Sequence, residues 1–223
     1  MEGMENIITV FTPAYNRANL LDKLYQSLKS QTDQRFEWLI VDDGSEDNTR
    51  EIVCNFIKED KIVVRYYYQK NQGKHIAVNY GAKEARGCWF FIVDSDDYLI
   101  DTAIEELWKH LMKIEGEPGF AGVAGLNGRP DGSALLAWYG EEQENTELPD
   151  GGKDYLDATS IEYRYKYKIK GDSAEVIRTR LVRKYSFPKF GDERFLSEAA
   201  LWFPVAEAGY KFRWFSSVIY IAE

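Results

Sequence analysis

Three carboxylates stand within four positions, at Asp94, Asp96 and Asp97, directly after the apolar run 88–93. An apolar run without alternation is typical of a strand covered on both faces, and α/β proteins bind ligands at the carboxyl ends of such strands. Asp94 and Asp96 would point the same way from an extended backbone. Carboxylate oxygens suit a hard ion such as Mg²⁺ or Mn²⁺, which completes its shell with substrate phosphates. The pattern therefore predicts a metal-bound nucleotide diphosphate; its alternative is an acidic turn that caps the helix starting near Asp101.

The composition describes an acidic chain with one substantial core. The 223 residues are 44% hydrophobic, which is enough for a single domain of the larger α/β kind. A formal net charge of −9 argues against nucleic acid as the partner, because phosphate backbones bind basic surfaces. The two cysteines and two dispersed histidines lack the spacing of a zinc site. An anionic ligand would therefore need a metal ion and a few local cations.

Strand-like and helix-like segments alternate four times in the first half of the chain. Apolar and β-branched runs predict strands at 7–11, 36–41, 62–68 and 89–93. Apolar residues at helical spacing predict helices at 19–30, 48–58, 74–85 and 102–114. This alternation predicts a parallel, right-handed, doubly wound sheet whose loops gather at one edge. We expect Pro13 to end the first strand, because proline has no N–H to donate.

The rhythm changes after Pro118. Further strands are predicted at 120–126, 135–139 and 173–177, and helices at 180–185 and 197–208. The polar, acidic segment 141–152 is predicted to be a surface loop, whereas 155–168 has no clear period. The strand-like run 219–222 stops directly before the last residue, a pattern that is consistent with a shortened chain.

Four motifs occur in order, each after a predicted strand: TPAYNR at 12–17, VDDGS at 41–45, NQGK at 71–74 and VDSDD at 93–97. Together they resemble the nucleotide-binding half of a family 2 glycosyltransferase of GT-A fold. The resemblance is strong over about residues 6–115 and looser beyond. It implies one α/β domain over 1–223, with a Rossmann-like, mostly parallel central sheet flanked by helices. The nucleotide-sugar-binding half would span about 6–115, and the acceptor-binding half about 116–223.

The resemblance also implies roles for individual residues. The nucleotide-sugar would be bound by residues in three of the four motifs, which are Pro13, Ala14, Tyr15, Arg17, Asp43, Asp94 and Ser95. Asp43 would accept hydrogen bonds from the uracil ring. Asp96 would be the main ligand of Mn²⁺ or Mg²⁺, with Asp94 beside it.

A binding role for Lys74 is predicted from its own position in the sequence and is not implied by the resemblance. It opens a predicted helix after Gly73, and helix N-termini favour anions, so we expect it at the nucleotide phosphates. Plainer alternatives stay open: Tyr15 simply packs, Asp42 and Asp43 cap the next helix, and Lys74 is solvated.

The reaction that the resemblance implies needs a carboxylate base. The family places it in an acidic pair before a helix, and the matching position here is Glu198, although Ser197 replaces the usual first acid. Asp192 and Glu193 are its rivals. A helix N-terminus favours the charged carboxylate and would lower the basicity of Glu198. Asp172 resembles a residue that borders the acceptor site, with a simple turn residue as the alternative.

The resemblance thus implies a metal-dependent, inverting transfer of a sugar, with UDP-sugars favoured as donors, to a hydroxyl of a saccharide or lipid-linked acceptor. Such reactions build polysaccharides and cell-surface glycans. One alternative is a binding module that keeps the nucleotide site without catalysis. A sugar-phosphate nucleotidyltransferase is a weaker one, because its phosphate loop is glycine-rich and 12–17 has no glycine.

Apolar runs are far shorter than a membrane span, and the first residues lack the pattern of a signal peptide. We therefore expect a cytoplasmic protein without a transmembrane segment. Peripheral attachment at the inner face of the membrane is compatible with a lipid-linked acceptor.

Overall fold

The computed structural model describes residues 5–135, 137–138, 154–191 and 193–223. The strands are β1 Glu5–Ala14, β2 Phe36–Asp42, β3 Val64–Tyr68, β4 Gly87–Ile92, β5 Tyr98–Leu99, β6 Phe120–Gly128, β7 Ala137–Trp138, β8 Tyr155–Ala158, β9 Ile169–Lys170, β10 Ser173–Arg178 and β11 Lys211–Ile221. The helices are α1 Leu21–Lys29, α2 Thr49–Glu59, α3 Lys74–Glu84, α4 Ala103–Leu111, α5 Thr179–Lys184 and α6 Ala199–Glu207. A π-helical turn spans Glu162–Lys166. The predicted loop 141–152 lies outside the described residues.

The central sheet has the strand order β3-β2-β1-β4-β10-β6-β11-β5, with β8 also paired to β11. The strands from β3 to β4 are parallel, as the alternation of the first half predicts. β10 then enters between β4 and β6, antiparallel to both. β11 runs parallel to β6 and antiparallel to β5 and β8. The α/β class is confirmed, and each antiparallel pairing of the central sheet involves a strand from the second half of the chain, either β10 or β11.

Two apolar layers cover the two faces of this sheet. Along β1, Val10 faces the layer that contains α1, α2 and α4, whereas Phe11 faces the layer that contains α3, α5 and α6. All seven residues of β2 are buried. Burial on both faces explains why the central strands read as continuous apolar runs rather than as alternating ones.

The prediction that Pro13 ends the first strand is wrong. β1 continues through Pro13, opposite Val41, to Ala14, opposite Asp42. The pairing of β1 with β4 stops earlier, at Phe11. Beyond that point β1 has a neighbour on one side only, and a proline is tolerated where no ladder bond is required of its nitrogen.

Among the helices in the part of the chain that the structure describes, none is long and apolar enough to cross a membrane.

Close contact between α3 and β1 sets the position of the helix that begins at Lys74. A Cβ added to Gly81 would lie 2.1 Å from a ring carbon of Phe11, a fully buried side chain. We expect Gly81→Ala to lower the free energy of unfolding by at least about 1 kcal/mol, because overpacking outweighs the better helix propensity of alanine. Urea unfolding measures the difference.

Gly116→Ala is the matched control, because a Cβ there meets nothing within 4 Å. If both variants unfold at the same urea concentration as the native chain, the close approach of α3 to β1 is contradicted.

Candidate active site

Three loops that follow parallel strands lie at one edge of the sheet. The carboxyl ends of β1, β2 and β4 lead into the segments that hold Tyr15, Asp43 and Asp94, respectively. Parallel neighbours place their carboxyl ends together, so the sheet brings the predicted nucleotide and metal residues to the same rim. The loop from β3 to α3, which leads directly to Lys74 at the start of that helix, joins them there.

The β1–α1 loop is fastened to the β2–α2 loop by backbone donors. The Asn16 N–H donates to Ser45 Oγ at 2.8 Å, and the Arg17 N–H donates to Thr49 Oγ1 at 2.9 Å. Asn16 has a left-handed backbone, with φ of 55°. The Tyr15 side chain is 46% exposed at the end of this loop. Its ring is therefore open to a ligand and does not simply pack in the core.

Asp43 holds the loop that leads into α3. Its buried carboxylate accepts hydrogen bonds from the N–H groups of Gln72 and Gly73, at 2.8 and 2.7 Å, and from Gln69 Nε2 at 2.7 Å. Asn48, not Asp43, is the N-cap residue of α2. A carboxylate has about four acceptor positions, so three bonds leave room for one further donor.

Asp42, like Asp43, has a structural role through the hydrogen bonds that its carboxylate accepts. It accepts from the Ser45 N–H and from the Tyr66 hydroxyl, both at 2.7 Å. Burial, followed by the hydrogen bond to Asp42, raises the pKa of Tyr66 above its ordinary range. The two adjacent acids therefore stabilise the rim instead of capping the next helix.

Lys74 connects two carboxylates that are far apart in sequence. Its Nζ lies 2.7 Å from Asp94 Oδ1 and 3.0 Å from Glu198 Oε1. Burial alone would lower the pKa of Lys74, but these two carboxylates outweigh it and hold the pKa above its usual value. In the structure Lys74 is therefore paired with two carboxylates and is not merely solvated. The preceding Gly73 has φ of 97°, and a Cβ there would lie 2.1 Å from the Arg194 carbonyl oxygen.

Asp94, Asp96 and Asp97 form one cluster of oxygen ligands. One carboxylate oxygen from each lies within 4.8 Å of the others. A hydrogen-bond chain runs from the Asp94 N–H to the Tyr220 hydroxyl and from that hydroxyl to Asp97. Burial raises the pKa of Asp97, although the bond from Tyr220 opposes it. An all-oxygen set with one exposed member, Asp96, fits Mg²⁺ or Mn²⁺.

A cavity of about 600 Å³ opens beside this cluster. Its lining includes four residues named from the sequence, which are Lys74, Asp94, Asp172 and Glu198. Glu198 is the N-cap residue of α6. Its rival Glu193 is exposed and accepts a bond from the Phe195 N–H at 2.9 Å, and it is not among the lining residues. Asp192 lies outside the described residues.

The same cavity is lined by polar residues that sequence reasoning missed, which are Asn127, Ser160, Arg164, Glu175 and Tyr220. Glu175 left a signal, because it is a carboxylate inside the strand-like run 173–177. Asn127 likewise interrupts a run of small and apolar residues in β6. The other three carry no pattern that separates them from ordinary surface residues.

Comparison with known proteins agrees with this architecture. Residues 9–140, more than half of the chain, match the family described as glycosyl transferase family 2. The chain belongs to this family, whose resemblance was identified from the four motifs. It is 32% identical over 124 residues to an uncharacterised glycosyltransferase of Haemophilus influenzae, which covers 53% of this chain and 50% of the relative. The chain thus spans half the length of that relative.

Solved structures show the same fold. S. aureus TarS 1–349 in complex with UDP-GlcNAc superposes with a TM-score of 0.70 at 21% identity, over 97% of this chain and 58% of that one. The mannosyltransferase PcManGT of Pyrobaculum calidifontis, in complex with GDP-Man and Mn²⁺, gives 0.65 at 17% identity, over 96% and 56%. At these identities the likeness establishes the fold alone.

Asp43 provides a test of how the rim is held. In Asp43→Asn, one acceptor oxygen is replaced by a donor amide, which then faces the N–H of either Gln72 or Gly73, because these two groups bond different oxygens of Asp43. We expect a loss of about 1–3 kcal/mol in the free energy of unfolding, the cost of leaving buried donors unpaired. Urea unfolding measures it, and hydrogen exchange would show faster exchange at Gln72 and Gly73.

Asp22→Asn is the control, because Asp22 is exposed and accepts a single bond, from Gln26 on the same helix. Equal stability of both variants would contradict the part assigned to Asp43.

Proposed function

We propose that the protein is a metal-dependent, inverting glycosyltransferase that moves a sugar from a UDP-sugar to an acceptor hydroxyl. The observation that carries this proposal is the pair of contacts made by Lys74. They join the acidic loop after β4 to Glu198 at the start of α6, on one cavity. Residues 6–115 would bind the donor and residues 116–223 the acceptor.

The rim at the ends of β1 and β2 supports a nucleotide donor. Tyr15 offers an exposed aromatic face for a base, and Arg17 and Ser95 belong to loops of the same edge. Pro13 and Ala14 end the strand that supports them. Asp43 keeps one acceptor position for a donor group such as the N–H of a uracil ring. The complex of TarS with UDP-GlcNAc supports UDP as the nucleotide of the donor, whereas PcManGT forms a complex with GDP-Man.

Asp96 and Asp94 would hold Mg²⁺ or Mn²⁺. A bound ion would neutralise the negative charge of the donor diphosphate and of its leaving form. The structures of PcManGT and of GalNAc-T7, a further protein of the same fold, contain Mn²⁺, which supports a divalent ion here.

Glu198 would act as the base, a role supported by its contact with Lys74 and its position on the cavity wall. The acceptor hydroxyl oxygen would attack the anomeric carbon while the bond from that carbon to the diphosphate oxygen breaks. The hydroxyl proton would pass to the carboxylate of Glu198, and attack opposite the leaving group inverts the configuration. Lys74 would orient Glu198 and add a positive charge near the departing diphosphate. Asp172, an exposed residue of the cavity lining, would contact the acceptor.

The acceptor would be a saccharide or a lipid-linked saccharide. The second class would bring the protein to the inner face of the membrane from the cytoplasm. Its products would belong to polysaccharides or other cell-surface glycans.

Calorimetric titration of UDP, with and without Mg²⁺, tests the donor half. We expect UDP to bind in the presence of Mg²⁺, and Asp96→Ala to weaken that binding by at least about tenfold, the lower range seen even for outer-shell partners of metals. Asp131→Ala is the control, since Asp131 is an exposed acid in the turn after β6. Failure of native protein to bind UDP, GDP or CDP with either metal would refute the proposed function.

Glu198→Gln tests the base. The amide cannot accept the proton, so we expect UDP release from a UDP-sugar to fall by about 10²- to 10⁴-fold while UDP affinity stays the same. Glu193→Gln and Asp192→Asn are matched controls that should keep turnover. Loss of turnover in a control but not in Glu198→Gln would reassign the base. If the native chain binds UDP but releases none from any UDP-sugar, it is a binding module.

A further inference from the structure

Glu175 is a carboxyl group in the middle of the sheet. It lies on β10, opposite Ala124 of β6, between the buried residues Ala174 and Val176. β10 is itself flanked on its other side by β4. Glu175 also lines the cavity that holds Lys74 and Glu198. The proposed function does not use it, although a carboxyl group in such a position is costly to ionise.

The titratable groups around Glu175 come from three segments. Glu198 at the start of α6 and Asp172 in the turn before β10 repel a negative charge there, whereas Arg164 of the π-helical turn attracts it. Tyr163 of the same turn also faces Glu175. Burial, followed by the charge of Glu198, raises the pKa of Glu175 from 4.5 to about 8. Glu175 is half-buried, and this shift of its pKa favours the protonated, uncharged form near neutral pH.

Asn127 is a second, independent feature of this cavity. Its side chain is only 8% exposed, and it lines the cavity from β6. Its Oδ1 has no hydrogen-bond partner among the residues that the structure describes. Buried side-chain acceptors are nearly always paired in native structures, so this carbonyl indicates a missing donor.

We propose that Glu175 and Asn127 are specificity-determining residues that hydrogen-bond hydroxyl groups of an uncharged acceptor sugar, an inference that rests on the proposed transferase function. A neutral carboxyl group can donate from its O–H and accept at its C=O, and a sugar hydroxyl can do both in return. The Asn127 carbonyl would accept from a second hydroxyl. Neither interaction requires a charge on the acceptor.

The charges of the cavity argue against an anionic acceptor. Five carboxyl groups line it, which are Asp94, Asp97, Asp172, Glu175 and Glu198, and the two basic residues are Lys74 and Arg164. With Glu175 neutral, four carboxylates face two cations, and the two positive charges of the proposed metal ion would be offset by the negative charges of the donor diphosphate. A uronic acid or a sugar phosphate in this cavity would meet repulsion that a neutral sugar avoids.

The test measures UDP release with Mg²⁺, using the UDP-sugar that the native protein turns over best. Acceptor probes are the neutral p-nitrophenyl glucoside, galactoside and N-acetylglucosaminide, and the anionic p-nitrophenyl glucuronide. We expect neutral glycosides to accelerate UDP release and the glucuronide to accelerate it less. In Glu175→Ala, the KM of the preferred neutral glycoside should rise by about fivefold to tenfold, as for one lost hydrogen bond, with UDP affinity unchanged. Asn127→Leu should behave in the same way.

Glu175→Gln separates a neutral recognition group from a structural one. The amide also donates and accepts without charge, so the variant should keep the native KM at pH 7. At pH 9 the native KM should rise because Glu175 ionises, whereas that of Glu175→Gln should not.

The native free energy of unfolding should also fall as the pH rises from 4.5 towards 8, because the unfolded chain loses this proton first. In Glu175→Gln, the free energy of unfolding should not show the part of this fall that the ionisation of Glu175 causes.

Several results would overturn the inference. One is an unchanged KM for the neutral glycoside in both Glu175→Ala and Asn127→Leu, and another is a larger acceleration of UDP release by the glucuronide than by the neutral glycosides. The others are a rise in KM at pH 9 that persists in Glu175→Gln, and UDP release that no glycoside accelerates. All of these leave UDP binding intact in the native protein. Failure of the native protein to bind UDP is a different result, which would refute the donor function itself.

Discussion

The salt bridges of Lys74 are the interaction on which the rest of the site depends. They join a loop of the parallel half of the sheet to the first turn of α6, more than 100 positions further along the chain. The three side chains are 40–43% exposed, so solvent screens their attraction and their contribution to stability is small. Their value is geometric, because they hold the acidic loop after β4 and the proposed base on one cavity.

Lys74 can make these contacts because packing fixes the start of α3. Gly81 lets the helix lie against the Phe11 ring, and Gly73 lets the chain pass beneath the Arg194 carbonyl. Asp43 binds the two N–H groups that precede the helix. The helix therefore begins at one place only, and its first side chain reaches between Asp94 and Glu198. A weak ion pair becomes specific when its partners are held by a rigid core.

The donor side of the site could be predicted from sequence because its residues follow strands directly. A motif such as VDSDD at 93–97 identifies both the strand and the loop after it, and parallel order brings such loops to one edge. The acceptor side could not be predicted in this way. β10 was recognised as a strand, but its insertion between β4 and β6 is a long-range pairing that local pattern does not contain. The sequence marks Glu175 and Asn127 as unusual strand residues, but it does not show that they line the same cavity.

The cavity also shows how two similar acids can be given different properties by their surroundings. Glu198 lies at a helix start, and its Oε1 is 3.0 Å from the ammonium nitrogen of Lys74. Glu175 lies within a strand, where burial, followed by the charge of Glu198, favours its proton. The two acids differ because Glu198 has a cation as its partner, whereas Glu175 is removed from water. An acid that holds its proton next to one that holds a negative charge can bind a hydroxyl group from one side while the other accepts a proton.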